Sequence, residues 1–148
     1  MIALGSDHAG LSLKKEVIAY LESKNIEYKD FGTYTTDRCN YPEYAVLAAN
    51  AVASGECEKG IIFCGTGVGI SIAANKVKGI RCVVCSDVYS AVLSREHNDT
   101  NMLALGARVV GTGLALMIVE GWLGSAFEGG RHQIRVDQIK NIEDTQSI

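Results

Sequence analysis

The chain has 148 residues, of which 47% are hydrophobic and 21% charged, with a formal net charge of −3. That length suits one compact domain able to bury a core without disulfides or a structural metal, and the composition excludes a disordered chain. The acidic balance excludes a broad basic surface for nucleic acid, and the longest apolar stretches, such as Leu114–Val119, are too short to span a membrane.

In chain order, short apolar runs alternate with amphipathic segments. Ile2–Gly5 reads as a buried strand. Leu11–Lys24 reads as a helix with Leu13, Val17, Tyr20 and Leu21 on one stripe. Ile26–Phe31 is a second strand, followed by the polar loop Gly32–Tyr41. Pro42 suits the first turn of a helix ending near Ser54. Gly60–Cys64 is a third strand, the glycine-rich Gly65–Gly69 follows, and a helix runs to about Asn75. Arg81–Cys85 is a fourth strand. Asp87 can cap a helix running to about His97. Met102–Leu105 is a fifth strand, and Thr112 can cap a helix to about Leu123. Gly129 and Gly130 break the chain before a last helix over roughly 132–145. The pattern predicts a single domain over 1–148. Its fold is an α/β, Rossmann-like, three-layer α/β/α sandwich on a five-stranded parallel sheet. Ligands of such sheets bind beyond the carboxyl ends of the strands, which directs attention to the loops that follow them.

Five cysteines, an odd number, follow no secretory leader, and a reduced, cytoplasmic setting fits best. Cys82 and Cys85 have C-x-x-C spacing but lie in a β-branched run without a second ligand pair, so both read as buried strand residues. No dense His/Asp/Glu cluster is evident, and neither a metal nor a cofactor is expected.

Four segments can carry chemistry. In Cys64-Gly65-Thr66-Gly67-Val68-Gly69, alternate glycines let the backbone turn tightly, and the following helix start favours an anion or oxyanion. The segment lacks the lysine of a phosphate-binding P-loop, and its G-x-G-x-G spacing departs from the dinucleotide G-x-G-x-x-G. A non-catalytic nucleotide-binding module using this loop and Asp87 stays open, as does a tight turn around a buried cysteine. Asp7 and His8, after the first strand, can grip hydroxyls and a ring oxygen, or can simply cap a turn. His97-Asn98 ends a helix, where an imidazole can act as acid or base near neutral pH or merely terminate the helix. Arg131 and Arg135 are four apart, share a helix face and can clamp a phosphate, with Arg108 able to join; they can equally be solvated.

Taken together and in order, Gly5-Ser6-Asp7-His8-Ala9-Gly10, Cys64–Gly69, His97-Asn98-Asp99-Thr100-Asn101 and Gly130-Arg131-His132 closely resemble the type B ribose-5-phosphate isomerase family over essentially the whole chain. The wider family includes galactose 6-phosphate and allose 6-phosphate isomerases. The resemblance implies metal-independent interconversion of ribose 5-phosphate and ribulose 5-phosphate, with six-carbon sugar phosphates as the alternative substrates. It implies Cys64 as the base moving a proton between C2 and C1, supported by Thr66, and backbone donors from Gly65, Thr66, Gly67, Val68 and Gly69 to the enediolate oxygen. It implies His97 as the residue that opens the furanose ring. Asp7, His8, Asn98 and Tyr41 would bind the sugar, and Arg108, Arg131 and Arg135 the phosphate. One branch of the family replaces the cysteine with a glutamate just after the loop. Ile70 occupies that position here, which favours the cysteine mechanism. The resemblance further implies a homodimer, or a dimer of dimers, with the site shared so that His97 and Asn98 come from the partner. Apolar residues on the last two helices (Leu114, Leu116, Met117, Ile118 and Trp122, then Ile134, Val136 and Ile139) favour association, with the last helix at a subunit interface.

Overall fold

The computed structural model describes residues 1–146. Five strands form one parallel sheet in the order β2-β1-β3-β5-β4. They are β1 (Ile2–Ser6), β2 (Tyr28–Asp30), β3 (Lys59–Cys64), β4 (Cys82–Val84) and β5 (Met102–Gly106). The helices are α1 (Leu11–Ser23), α2 (Tyr41–Ala53), α3 (Val68–Ala74), α4 (Val88–Asn98), α5 (Thr112–Leu123) and α6 (Arg131–Thr145).

Because side chains alternate along a strand, each central strand feeds two cores. Ile2, Leu4, Ile61, Phe63, Leu103 and Leu105 pack with Leu13, Val17 and Leu21 of α1 and Ala115, Ile118, Val119 and Trp122 of α5. Ala3, Ile62, Cys64, Met102 and Ala104 face the other way, toward Ala45, Ala48 and Ala49 of α2 and Ile70 and Ala74 of α3. The alanines let α2 lie close on the sheet: a Cβ on Gly5 would stand 3.0 Å from the Tyr44 carbonyl oxygen. This parity fixes Cys64 on the α2–α3 face at the carboxyl end of β3.

After β1 the chain winds outward to edge strand β2; β3 then returns to the opposite side of β1. The carboxyl ends of β1 and β3 therefore flank a topological switch point, where a crevice opens above a parallel sheet.

Several boundaries differ from expectation. The edge strands are shorter than Ile26–Phe31 and Arg81–Cys85, because each has a ladder partner on one side only. Cys82 lies half-buried on edge strand β4, and Cys85 is buried just beyond it. Thr112 is the first residue of α5 rather than its cap, Gly111 holding the cap position. Asp87 does cap α4, its Oδ1 accepting the Ser90 N–H at 2.6 Å. No helix is long and apolar enough to cross a membrane among the described residues.

One buried charge ties the crossover to the sheet. Lys14 on α1 is fully buried, and its ammonium donates to Asp30 Oδ1 at 2.8 Å and to the Thr33 carbonyl at 2.5 Å. Asp30 Oδ1 also accepts the Gly32 N–H at 2.9 Å, and Ser6 exchanges backbone bonds with Gly32 and Thr33. Lys14 thus braces the chain beside Asp7. Replacing it with methionine keeps the volume but leaves these acceptors unmatched. Lys14→Met is expected to cost about 3 kcal/mol, at the lower end for a broken buried pair because Asp30 is partly solvated. Urea unfolding measures this as a lower midpoint with an unchanged slope.

Candidate active site

A cleft of about 390 Å³ at the switch point is lined by Asp7, His8, Ala9, Tyr41, Cys64, Gly65, Thr66, Val68, Gly69 and Arg108. Cys64 is 5% exposed, and its sulfur accepts the Gly67 N–H at 3.1 Å. That bond requires the loop to double back, and Gly67 does so with φ +79°, where a side chain is strained. A Cβ on Gly67 would also stand 2.9 Å from the Leu105 carbonyl carbon. Gly69 leaves room for Tyr41, whose ring a Cβ would meet at 2.6 Å. Thr66 points its Oγ1 at the Val68 N–H, 3.2 Å away, which stiffens the loop.

Asp7 is buried, with one carboxylate oxygen accepting the Gly10 N–H at 2.9 Å. His8 Nδ1 accepts the Cys39 N–H at 3.3 Å, so the proton of a neutral imidazole resides on Nε2. The Arg108 guanidinium stands 3.1 Å from the point where a Gly65 Cβ would be.

His97, Asn98, Arg131 and Arg135 do not line this cleft. They gather at the carboxyl end of α4 and the start of α6. Three bonds converge on Thr100 to fix that corner. Trp122 Nε1 donates to Thr100 Oγ1 at 2.9 Å, Ser94 Oγ lies 2.9 Å from the same oxygen, and Arg95 donates to the Thr100 carbonyl. Arg81 grips the Asn98 and Asp99 carbonyls at 3.0 and 2.8 Å. The His97 ring stacks on that of His132, with centroids 4.1 Å apart and planes within 9°. The sequence-predicted residues thus form two groups, one around Cys64 and one around His97.

Sequence reasoning missed the pairing of His97 with His132 and the approach of Glu128 to both. Glu128 and His132 are four apart, but Gly129 and Gly130 lie between them, so helical spacing gave no signal. It also missed the Cys39–His8 contact, because Cys39 belongs to an irregular loop.

A larger groove of about 700 Å³ runs between α6 and the start of β4. Its one thiol, Cys82, is pushed far up by burial and by Cys85, and Cys85 is pushed up to about 11 by burial and the Asp87 charge. The smaller cleft holds Cys64 together with Asp7, His8, Tyr41 and Arg108.

Residues 2–139 match the Ribose/Galactose Isomerase family. The chain belongs to this family. Among its members, ribose-5-phosphate isomerase B of Escherichia coli (strain K12) is 58% identical over 146 residues, covering 99% of this chain and 98% of the relative. The ribose-5-phosphate isomerase B of Clostridium thermocellum superposes with a TM-score of 0.98 at 54% identity, covering 99% of each chain. That of Mycoplasma genitalium, solved with bound ribulose 5-phosphate, gives 0.92 at 40% identity over 97% of this chain and 95% of its own.

In this family member, burial first, then His97 and Arg131, push the His132 imidazole below its usual range; Glu128 opposes the shift, and Arg135 adds to it. The unfolded chain then binds a proton near pH 6.5 that the folded chain refuses. Stability is expected to be full above that pH and to fall as pH drops toward 5. His132→Gln should flatten the decline, read as melting temperature against pH.

Proposed function

We propose that the chain is a ribose-5-phosphate isomerase, interconverting ribose 5-phosphate and ribulose 5-phosphate through ring opening and an enediolate. The observation that carries this is the near-full-length match to the Escherichia coli enzyme. The geometry supports a role for each residue.

His97 takes the anomeric hydroxyl proton as the ring C–O bond breaks and passes it to the departing ring oxygen, so that His97 is neutral again in the open-chain form. Cys64 as thiolate then removes the C2 proton. The electron pair moves into the C1–C2 bond, and the C1 oxygen becomes an oxyanion. Gly69, in the first turn of α3, has an amide without an intrahelical partner and suits that oxyanion. The Gly67 and Val68 amides are engaged by Cys64 and Thr66, so they hold the loop in shape. Returning the proton to C1, while the C2 hydroxyl passes its proton to the C1 oxygen, leaves the carbonyl at C2. The second oxygen of Asp7 and the Nε2–H of His8 serve the sugar hydroxyls, with Tyr41 alongside. Arg108, Arg131 and Arg135 hold the phosphate. Arg131 and Arg135 are exposed and one turn apart on α6.

A nucleotide-binding role is weaker, because Asp87 is committed to its helix cap and does not line the cleft.

The two groups of residues make a complete site if a second copy of the chain brings its His97, Asn98, Arg131 and Arg135 to the Cys64 cleft. Exposed apolar residues support association, with Val46, Leu47, Val68 and Ile72 on α2 and α3 and Ile134 and Ile139 on α6. Ile118, Trp122 and Val136, counted toward that surface from sequence, are instead buried within the chain. All five thiols are free, which suits a reducing, cytoplasmic setting.

Purified enzyme should turn over ribose 5-phosphate, with allose 6-phosphate and galactose 6-phosphate as comparison substrates. Cys64→Ala should lower kcat about 10³-fold or more with the melting temperature retained. Substantial turnover in that variant would overturn the assigned base. Arg131→Ala should mainly raise KM, since the phosphate is held in both ground and transition states. Refolding Cys64→Ala together with His97→Asn should restore about a quarter of wild-type activity, through mixed dimers carrying one intact site. No restoration would overturn the shared site.

A further inference from the structure

His97, Glu128 and His132 each offer a ligand atom, and these atoms all lie within 4.8 Å of one another. The His132 side chain is buried, and its Nε2 has no hydrogen-bond partner. That atom lies 3.9 Å from a Glu128 carboxylate oxygen. A buried, unpartnered ring nitrogen is costly to leave empty-handed. From this set we infer an inhibitory binding site for a divalent transition ion of the zinc class, formed by His97, Glu128 and His132. The inhibitory part rests on the reading of His97 as the ring-opening residue.

Two imidazoles and one carboxylate are the donor set of zinc with its fourth position open to water or a ligand oxygen. They are poor for magnesium and calcium, which take oxygen donors. Zinc ligands at 2.0–2.1 Å in a tetrahedron stand about 3.3 Å apart, so the 3.9 Å Glu128–His132 spacing needs a small closure. The stacked His97 ring must tilt from its 9° alignment with His132 to aim its lone pair at the same ion. Glu128 can supply the closure: its side chain is half exposed and it precedes two glycines with positive φ. Arg131 and Arg135 oppose a cation here, which keeps the site weaker than a structural zinc centre and makes occupancy reversible. A bound ion withdraws the His97 imidazole from accepting the sugar proton, so turnover falls while the fold persists.

The test titrates metal-stripped enzyme with Zn²⁺ by calorimetry and, in parallel, follows ribose 5-phosphate turnover. Binding of one ion per chain, with turnover lost over the same concentrations and restored by a chelator, is the expected result. Glu128→Gln should leave metal-free turnover unchanged while weakening both binding and inhibition about tenfold or more. Co²⁺ as a spectroscopic probe should show ligand-field bands without a sulfur charge-transfer band. A sulfur band, an absence of binding, or inhibition unchanged in Glu128→Gln each overturns the site. Binding that depends on Glu128 without loss of turnover overturns its inhibitory role. A protein that binds zinc in this way but has no activity toward ribose 5-phosphate without metal refutes the isomerase reading and leaves the metal site standing.

Discussion

The bond from the Gly67 amide to the Cys64 sulfur depends on a chain of steric permissions. Gly67 must take a positive φ, and it must do so against the backbone of β5. Gly106 must in turn lack a side chain, since a Cβ there would lie 2.5 Å from the Thr66 backbone. Gly10 allows the loop after β1 to pack on Phe63 with the same closeness. The glycines at this end of the sheet are therefore a packing requirement as much as a means of reaching a ligand. They bring three strand ends close enough to frame one small cleft.

Around that cleft the fold keeps Cys64 apart from Cys82 and Cys85. Cys64 ends the central strand β3 and lines the switch-point crevice, whereas Cys82 lies on edge strand β4 and Cys85 is buried just beyond it. The difference arises from sheet position, since Cys64 and Cys82 share the α2–α3 face. The second group, around His97, is stiffened differently. The end of α4 is anchored to α5 through Thr100 and Trp122, and Arg81 holds its terminal carbonyls. A helix end fixed this firmly holds its imidazole in place without a further ordering cost when a ligand binds.

Much of the architecture was legible beforehand. The alternation of apolar runs and amphipathic segments identified every strand and helix, because strands buried on both faces read as continuous apolar runs and helices as period-3.6 stripes. Edges were less legible: β2 and β4 each lose residues where only one neighbour offers a ladder. The Thr112 cap failed because Gly111 already has the extended backbone that a cap position needs. Buried Lys14 left no trace, since nothing local to α1 announces that Asp30 and Thr33 will lie beside it.

By itself the sequence determined the fold class, the glycine pattern around Cys64 and the ordered set of motifs that the family shares. These are local or additive properties, written in spacing and side-chain type. Tertiary structure alone decided which motifs meet. It placed Asp7, His8, Tyr41 and Arg108 with Cys64, and it left His97 and the two α6 arginines in a separate cluster. It also stacked His97 on His132 beside Glu128. Such meetings depend on strand order and helix docking, which arise from burial summed over the whole chain and have no signature at any one position.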